Sequence, residues 1–468
     1  MSRTSRPPRS PRHRAPWPLT RRRGGLRRRP GRGLVTGLAA ALVAASCLAS
    51  AMPASASART VVTPGDFTGY GFDQCTAPSQ HSMDAWLTSS PYWAVGIYVS
   101  GASRGCTSQP NLTPTWVSTQ LAHGWRLLPI TLGPQAWCTT RERYLHQVRI
   151  NPSSAGTYQK ARSQGHAEAA KTVRAVRQLG IGAGSTLWYD LEAFDTSPTR
   201  CRQSAMWFLS SWTRELHALH YVSGVYSSAA SGLRTLDNAR VNPHSRYTMP
   251  DRVWIADWNG RADTSSAYVR SSGWTPHRRV HQYRGGHDET YGGVRINIDT
   301  NWVDLGRGSR VGREPAHCGG AASYDYGHYG TRRVGDRGAL VRTLQCLLTG
   351  KRLYAGRVDG TYDAALGAAV SRYRTSRGIP ADTTAGPRTW VALLSQGSTP
   401  LSKVGSASVA VRRLQRGLNA ADRAGLRVTG VFGAATTAAV RRYQGEHHMV
   451  RTGVAGSGVW RRLIAGTP

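Results

Sequence analysis

An α/β barrel followed by two small all-α modules is the fold class this chain predicts, on three observations. Residues 334–394 lie over residues 404–464 at a constant offset of 70 with no gap. Between about residues 60 and 310, short β-rich runs alternate with helical stretches. Acidic side chains then fall at the ends of several of those runs. A match at fixed offset marks a duplicated supersecondary unit rather than shared composition.

The N-terminus comes first. Residues 1–58 hold 12 arginines and no acidic residue, and they close on an apolar run, 34–51, and the small-residue stretch 54–58. A basic leader, a short apolar segment and an Ala-x-Ala site predict a secretory signal peptide. The apolar run is diluted by Gly, Thr and Ser, so stable membrane insertion is not expected. Arg21 and Arg22 are followed by Gly24 and Gly25, where a twin-arginine signal prefers bulky apolar residues.

The middle of the chain, 59–310, reads as a (β/α)₈ barrel. Its β-rich runs are 69–73, 94–100, 126–132, 186–191, 221–227, 252–258, 279–283 and 295–303. Helical patterns lie between them, at 113–123, 167–179 and 201–219. Eight strands alternating with helices over this length fit a closed parallel barrel, with its site at the C-terminal strand ends. A doubly wound sheet is the alternative, but no Gly-rich phosphate loop follows the first run.

After a linker, 311–330, each repeat (331–397 and 398–468) reads as a three-helix module. Val341, Leu344 and Leu348 recur at helical spacing, as do Val411, Leu414 and Leu418. A Gly-Thr-Tyr or Gly-Val-Phe turn follows, then a helix with Ala369, Val370 and Tyr373, or Ala439, Val440 and Tyr443, on one face. Trp390 and Trp460 close the match.

Charge and cysteines bound the setting. The formal charge of +36 falls to +24 without the 12 leader arginines. Residues 331–468 carry 22 basic and 6 acidic side chains, so most of that excess sits in the repeats. A basic surface attracts polyanions, and export favours anionic wall polymers over nucleic acid. Six cysteines follow the leader: Cys75, Cys106, Cys138, Cys201, Cys318 and Cys346. An even count in an exported chain predicts disulfides. The first four follow the first four runs, so they belong in loops on one barrel face. Neighbouring strands give neighbouring loops, which favours Cys75–Cys106 and Cys138–Cys201. Cys318 and Cys346 flank the start of the first repeat. No CxxC or HExxH spacing is present, so neither a metal nor another cofactor is expected.

The polar residues predict a site. Asp73 ends the first run, Asp190 and Glu192 the fourth, Asp257 the sixth, and Gln282 and Tyr283 the seventh, while Asp299 lies in the eighth. Asp190 and Glu192 are two apart, so strand geometry points both toward the barrel axis. Paired carboxyls flanking a sugar bond are the working parts of most glycosidases, one as acid and one as charge stabiliser or nucleophile. Crowding would raise one pKa and keep that group an acid near neutral pH.

Two resemblances follow from these residues. The pattern "VG…VRxLQxxL…V-x-G-x-[YF]…AVxxY…G…W" resembles the peptidoglycan-binding domain of bacterial cell-wall hydrolases over both copies. "GYGFDQCTAPS", "WYDLEAF", "SGVYSS", "VWIADWNG", "HQY" and "GGVRINIDTNW" resemble the glycoside-hydrolase-like domain of actinobacterial secreted proteins, related to the family 25 lysozyme barrel. That resemblance implies Asp73, Asp190, Glu192 and Asp299 as catalytic positions, with Glu192 as proton donor and Asp190 ionised beside it, and with Tyr98, Tyr189, Tyr226, Trp254 and Gln282 lining the cleft. Trp188 and Trp258 are open between sugar platform and core.

The expected function is a secreted, monomeric, wall-associated glycosidase of lysozyme or muramidase type, with peptidoglycan and anionic wall polymers as partners. The alternatives are a non-catalytic wall-binding protein with a vestigial barrel, and a glycosidase of another extracellular polysaccharide.

Overall fold

The computed structural model describes residues 61–306, 311 and 314–468, so the expected signal peptide lies outside the described residues. Eight strands close a barrel in sequence order: β1 (Thr68–Asp73), β2 (Tyr92–Ser100), β3 (Arg126–Thr131), β4 (Thr186–Leu191), β5 (Val222–Ser228), β6 (Arg252–Ala256), β7 (Arg279–Tyr291) and β8 (Val294–Asp304). Helices α1 (Gln80–Ser89), α2 (Pro114–Ala122), α3 (Glu142–Leu145), α4 (Ala155–Gln178), α5 (Thr199–Ala218) and α6 (Arg234–Val241) fill the connections up to β6. Side-chain caps start two of them, with Ser79 accepting from the Ser82 N–H and Thr113 from the Trp116 N–H.

The barrel corrects the strictly alternating (β/α)₈ expectation. Neighbours from β1 to β7 pair parallel, but β8 runs antiparallel to both β7 and β1. No helix separates β6 from β7 or β7 from β8. The physical reason is in the turn chemistry. Gly292 and Gly293, both at positive φ (57° and 80°), join β7 to β8 as a tight hairpin. β7 also continues well past residue 283, because the alternating exposure of 284–291 suits a half-solvated hairpin.

Period-two alternation divides the core. Leu187, Tyr189 and Leu191 of β4 face outward into the layer beneath the helices. Trp188 faces inward, with Trp254, Leu128, Ile130 and Val303. Two indoles in so narrow a barrel need missing side chains beside them. A Cβ on Gly224 would sit 2.4 Å from the Trp188 ring, and one on Gly96 would sit 3.3 Å from the Trp254 ring and 2.5 Å from Asp73 Cβ.

The repeats supply α7 (Ala339–Gly350), α8 (Ala364–Ser376) and α9 (Pro387–Ser395), then α10 (Val409–Asp422), α11 (Ala434–Glu446) and α12 (Ser457–Ile464). The duplication is physical as well as textual. Gln345 Oε1 accepts the Gly360 N–H and Gln415 Oε1 the Gly430 N–H, each at 2.8 Å. The Trp390 and Trp460 indoles donate to the carbonyls of Gly330 and Pro400. The two copies share one apolar core, which also receives Tyr70 of β1 and Trp302 of β8. This contact lies toward the start of β1 and the end of β8, so the repeats dock at the barrel end opposite the C-terminal ends of the parallel strands.

Candidate active site

Strand geometry brings the four expected acids together. Asp73 ends β1 and pairs in register with Asp299 of antiparallel β8. Asp190 is the fifth residue of β4, and Glu192 follows that strand's last residue. Asp73, Glu192 and Asp299 line a cavity of about 320 Å³ at the C-terminal strand ends, with Tyr98 and Tyr144. Asp190 lies just beneath, 2% exposed, with Tyr98 donating to its Oδ2 at 3.4 Å.

A polar hub holds the β1–β8 side. Asn301 Nδ2 donates to Asp73 Oδ1 at 2.6 Å, and Gln282 Nε2 lies 3.3 Å from oxygens of both Asp73 and Asp299. Gln282 Oε1 in turn accepts from Tyr226 and from Trp258, each at 3.0 Å. The β4 side is clamped by Gln135. Its Nε2 donates to the Asp190 carbonyl and its Oε1 accepts the Glu192 N–H, both at 2.9 Å. One buried amide thus continues the strand pairing past β4 and fixes where Glu192 points.

Burial dominates the proton affinities. Asp73, 4% exposed, is pushed up to about 8, first by loss of water and then by the Asp299 charge, against the donors Asn301 and Gln282. Asp190 is raised well above the usual carboxyl range by burial, then by Glu192 and Asp73. Asp299 is raised by burial, with the Gly286 N–H and His287 opposing. Burial therefore favours the protonated form of Asp190, opposite in direction to the ionised state expected for it. The physical reason is depth: Asp190 Oδ1 is buried and has no hydrogen-bond partner among the described residues. Glu192 stands nearer the solvent, and Arg141 reaches one of its oxygens at 3.1 Å.

Several expected cleft residues lie elsewhere. Tyr189 points outward, packing on Phe208 and Trp212 while its hydroxyl donates to Pro134 O, because alternation from Asp190 turns it away. Trp254 is barrel interior, 1% exposed, and its indole donates to Asn301, so it forms the floor beneath the cleft. Asp257 accepts from the Ser266 hydroxyl in the loop after β6 rather than lining the cavity. Tyr283 shares the outer barrel face with His281, whose two ring nitrogens meet the carbonyls of Asp263 and Asp257. Trp188 is core, while Trp258 is 67% exposed. Tyr98 and Tyr226 stay beside the acids, their hydroxyls raised in pKa chiefly by burial.

Sequence reasoning missed Gln135, Asn301, Arg104, Arg141 and Arg143. Only Asn301 carried a local signal, standing two residues after Asp299 on one strand and hence on one face. The structure contains the disulfides Cys75–Cys106, Cys138–Cys201 and Cys318–Cys346. The first ties the loops after β1 and β2, and the third ties the linker to α7. The second ties the loop after β3 to the first turn of α5 rather than to a loop as expected, because the helix already begins at Thr199. No described helix is long and apolar enough to cross a membrane.

Residues 84–303 match the family model of the Rv2525c-like, glycoside hydrolase-like domain, and residues 337–393 and 408–463 each match the peptidoglycan binding domain model. No curated protein matches the chain. Similar solved structures include an uncharacterized B. stearothermophilus protein at 17% identity, covering 50% of this chain and 95% of that one with a TM-score of 0.32. The Mycobacterium tuberculosis Tat-secreted protein Rv2525c, in complex with L-tartrate, is 14% identical, covers 50% and 95%, and has a TM-score of 0.33. A Burkholderia AP3 phage endolysin is 33% identical over 20% of this chain and 35% of its own, with a TM-score of 0.14. This chain carries a glycoside hydrolase-like domain of the Rv2525c-like family followed by two peptidoglycan binding domains, the makeup of a glycosidase-like protein associated with the cell wall.

Proposed function

We propose that the protein is an exported glycoside hydrolase that cuts the peptidoglycan glycan between N-acetylmuramic acid and N-acetylglucosamine while the repeats hold it on the wall. One observation carries this reading: Asp73, Asp190, Glu192 and Asp299 converge at one barrel end, and the repeats dock at the other. Anchoring then leaves the cleft open to the polymer and raises its local concentration.

Glu192 is the group placed to protonate the leaving glycosidic oxygen, since it alone of the Asp-x-Glu pair lines the open cavity. As the C–O bond breaks, its electron pair leaves with that oxygen and positive charge grows on the anomeric carbon. Asp299, at the cavity wall, supports that charge. Water completes the hydrolysis, giving its hydroxyl to the sugar and a proton back to the carboxylate. Asp190 lies directly behind, where burial disfavours a second charge.

A second reading has one observation in its favour. Arg141 already engages Glu192, which suits a cleft that binds glycan without turning it over. The experiment is to incubate the protein with purified peptidoglycan and count new reducing ends. An active wild type should lose at least about 10²-fold on Glu192→Gln, the lower range for general acid catalysis, while still sedimenting with the wall. A wild type that binds but releases no reducing ends from several peptidoglycans hands the function to the binding reading.

A further inference from the structure

We propose that Arg104 and Arg143 form an anion-recognising subsite in this cleft, which selects a saccharide carrying a free carboxylate. The inference rests on the reading that the cleft binds glycan, and it adds what kind of glycan.

Both guanidinium groups line the same cavity as Asp73, Glu192 and Asp299. Both are built into place. Arg104, on the β2–α2 loop, donates through Nε to Gly101 O at 2.9 Å and through Nη1 to Tyr98 O at 3.2 Å, leaving Nη2 without a partner among the described residues. Arg143, on the short helix α3, donates through Nη2 to Ser103 O at 2.7 Å, leaving Nε and Nη1 uncommitted. The guanidinium of Arg143 lies against Gly105, where a Cβ would come within 3.0 Å of Nη2 and 3.1 Å of Nη1. A Cβ at 105 would make the guanidinium give by a few tenths of an ångström, and a branched side chain would crowd it further. The loop that carries Arg104 and Gly105 is fastened at its next residue by Cys75–Cys106 to the chain just past Asp73.

The nearby acids do not account for these cations. Neither arginine makes an ion pair among the described residues, whereas Arg141 does. The groups that oppose proton uptake at the acids are Asn301 and Gln282 for Asp73, Tyr98 and Arg141 for Asp190, and Gly286 and His287 for Asp299. Two prepositioned guanidinium groups that share a cavity and make no ion pair among the described residues repel each other. A ligand carboxylate relieves that repulsion and takes up the open N–H edges, the geometry in which arginine outperforms lysine. On a peptidoglycan strand such a carboxylate comes from the lactyl group of a muramic residue without its stem peptide, or from the acids of the stem itself.

The test is titration calorimetry of the full chain with N-acetylglucosaminyl-N-acetylmuramic acid, a disaccharide that lacks the bond proposed to be cut. Three forms are compared: the free lactyl acid, its neutral lactyl amide, and the stem-bearing disaccharide peptide. The acid should bind about tenfold or more tighter than the amide, as one lost charge-assisted hydrogen bond implies. Arg104→Gln and Arg143→Gln should each weaken the acid toward the amide and leave the amide unchanged. Gly105→Val should mimic Arg143→Gln without removing a charge. If the stem-bearing ligand binds tighter than the free acid, the stem supplies the carboxylate; if it binds weaker, the lactyl group does. Equal binding of acid and amide, loss of both alike in the variants, or no binding of any form would overturn the subsite. A chain that separates acid from amide yet releases no reducing ends keeps this inference and loses only hydrolysis.

Discussion

Lys403 Nζ, in the second repeat, donates a 2.7 Å hydrogen bond to the carbonyl of Leu87 in the first barrel helix. It also donates to Ser90 O at 3.1 Å and stands over the rings of Trp93 and Trp125. The side chain is 1% exposed, and burial alone drives its pKa well below the usual lysine range. Leu87 lies in the last turn of α1, where carbonyls lack helical partners and favour a cation.

Lys403→Met should therefore loosen the repeats from the barrel. The methionine fills much of the space but leaves two carbonyls bare, a cost of about 1–3 kcal/mol per unsatisfied group. The expected result is a lower melting temperature and faster proteolysis near residues 395–402. An unchanged melting temperature and an unchanged cleavage pattern would show that the contact is not holding the two parts together.

Gln135→Leu should damage turnover without touching a carboxyl. It strips the Asp190 carbonyl and the Glu192 N–H of their shared partner, so Glu192 loses its fixed direction. A displacement near 1 Å can cost about 10²-fold in rate. The loss should fall on kcat, with sedimentation on insoluble peptidoglycan intact because the repeats are untouched. A variant with full kcat would detach Gln135 from Glu192 positioning.

Asp73 should make stability depend on pH in a defined direction. The unfolded chain loses this proton near pH 4, whereas the folded chain holds it to about 8. Below that window both states are protonated; within it only the fold is, so raising pH from about 4 to about 8 costs stability. Asp190 shifts the same way. Asp73→Asn cannot ionise, so the mutant should gain melting temperature relative to wild type as pH rises from 5 to 8. Parallel pH profiles for the two proteins would refute the raised affinity.

The Cys75–Cys106 link closes a 31-residue separation between the loops after β1 and β2. Replacing both with serine should destabilise the protein by about 2–4 kcal/mol, the usual range for a native disulfide. Because the link also fastens the loop bearing Arg104, binding of acidic saccharides should weaken more than wall sedimentation. Retention of both melting temperature and ligand affinity would mean that the loops are held by other contacts.

Local periodicity made much of this molecule legible from sequence. Leu344 with Gln345, and Leu414 with Gln415, announced matching helices, and the structure gives them the same hydrogen bond to Gly360 and Gly430. Asp190 and Glu192, two residues apart on a strand, had to share a face. The same rule, applied one residue earlier, would have turned Tyr189 outward, and Gly292 with Gly293 would have disclosed the β7–β8 hairpin. Both features are local, carried by a few adjacent residues.

What only the tertiary structure decided is depth and company. Lys403 and Arg333 occupy the same repeat position at the offset of 70, yet Arg333 is exposed while Lys403 is buried against the barrel. Nothing local distinguishes them. Asp190 and Glu192 likewise share a face but not a fate: burial raises the proton affinity of Asp190, while Arg141 comes from the loop after β3 to meet Glu192. Spacing along the chain sets which way a side chain points, because that depends on backbone geometry over a few residues. Its charge state and its partners depend on how much water and which distant groups surround it, and those are set only when the chain closes on itself.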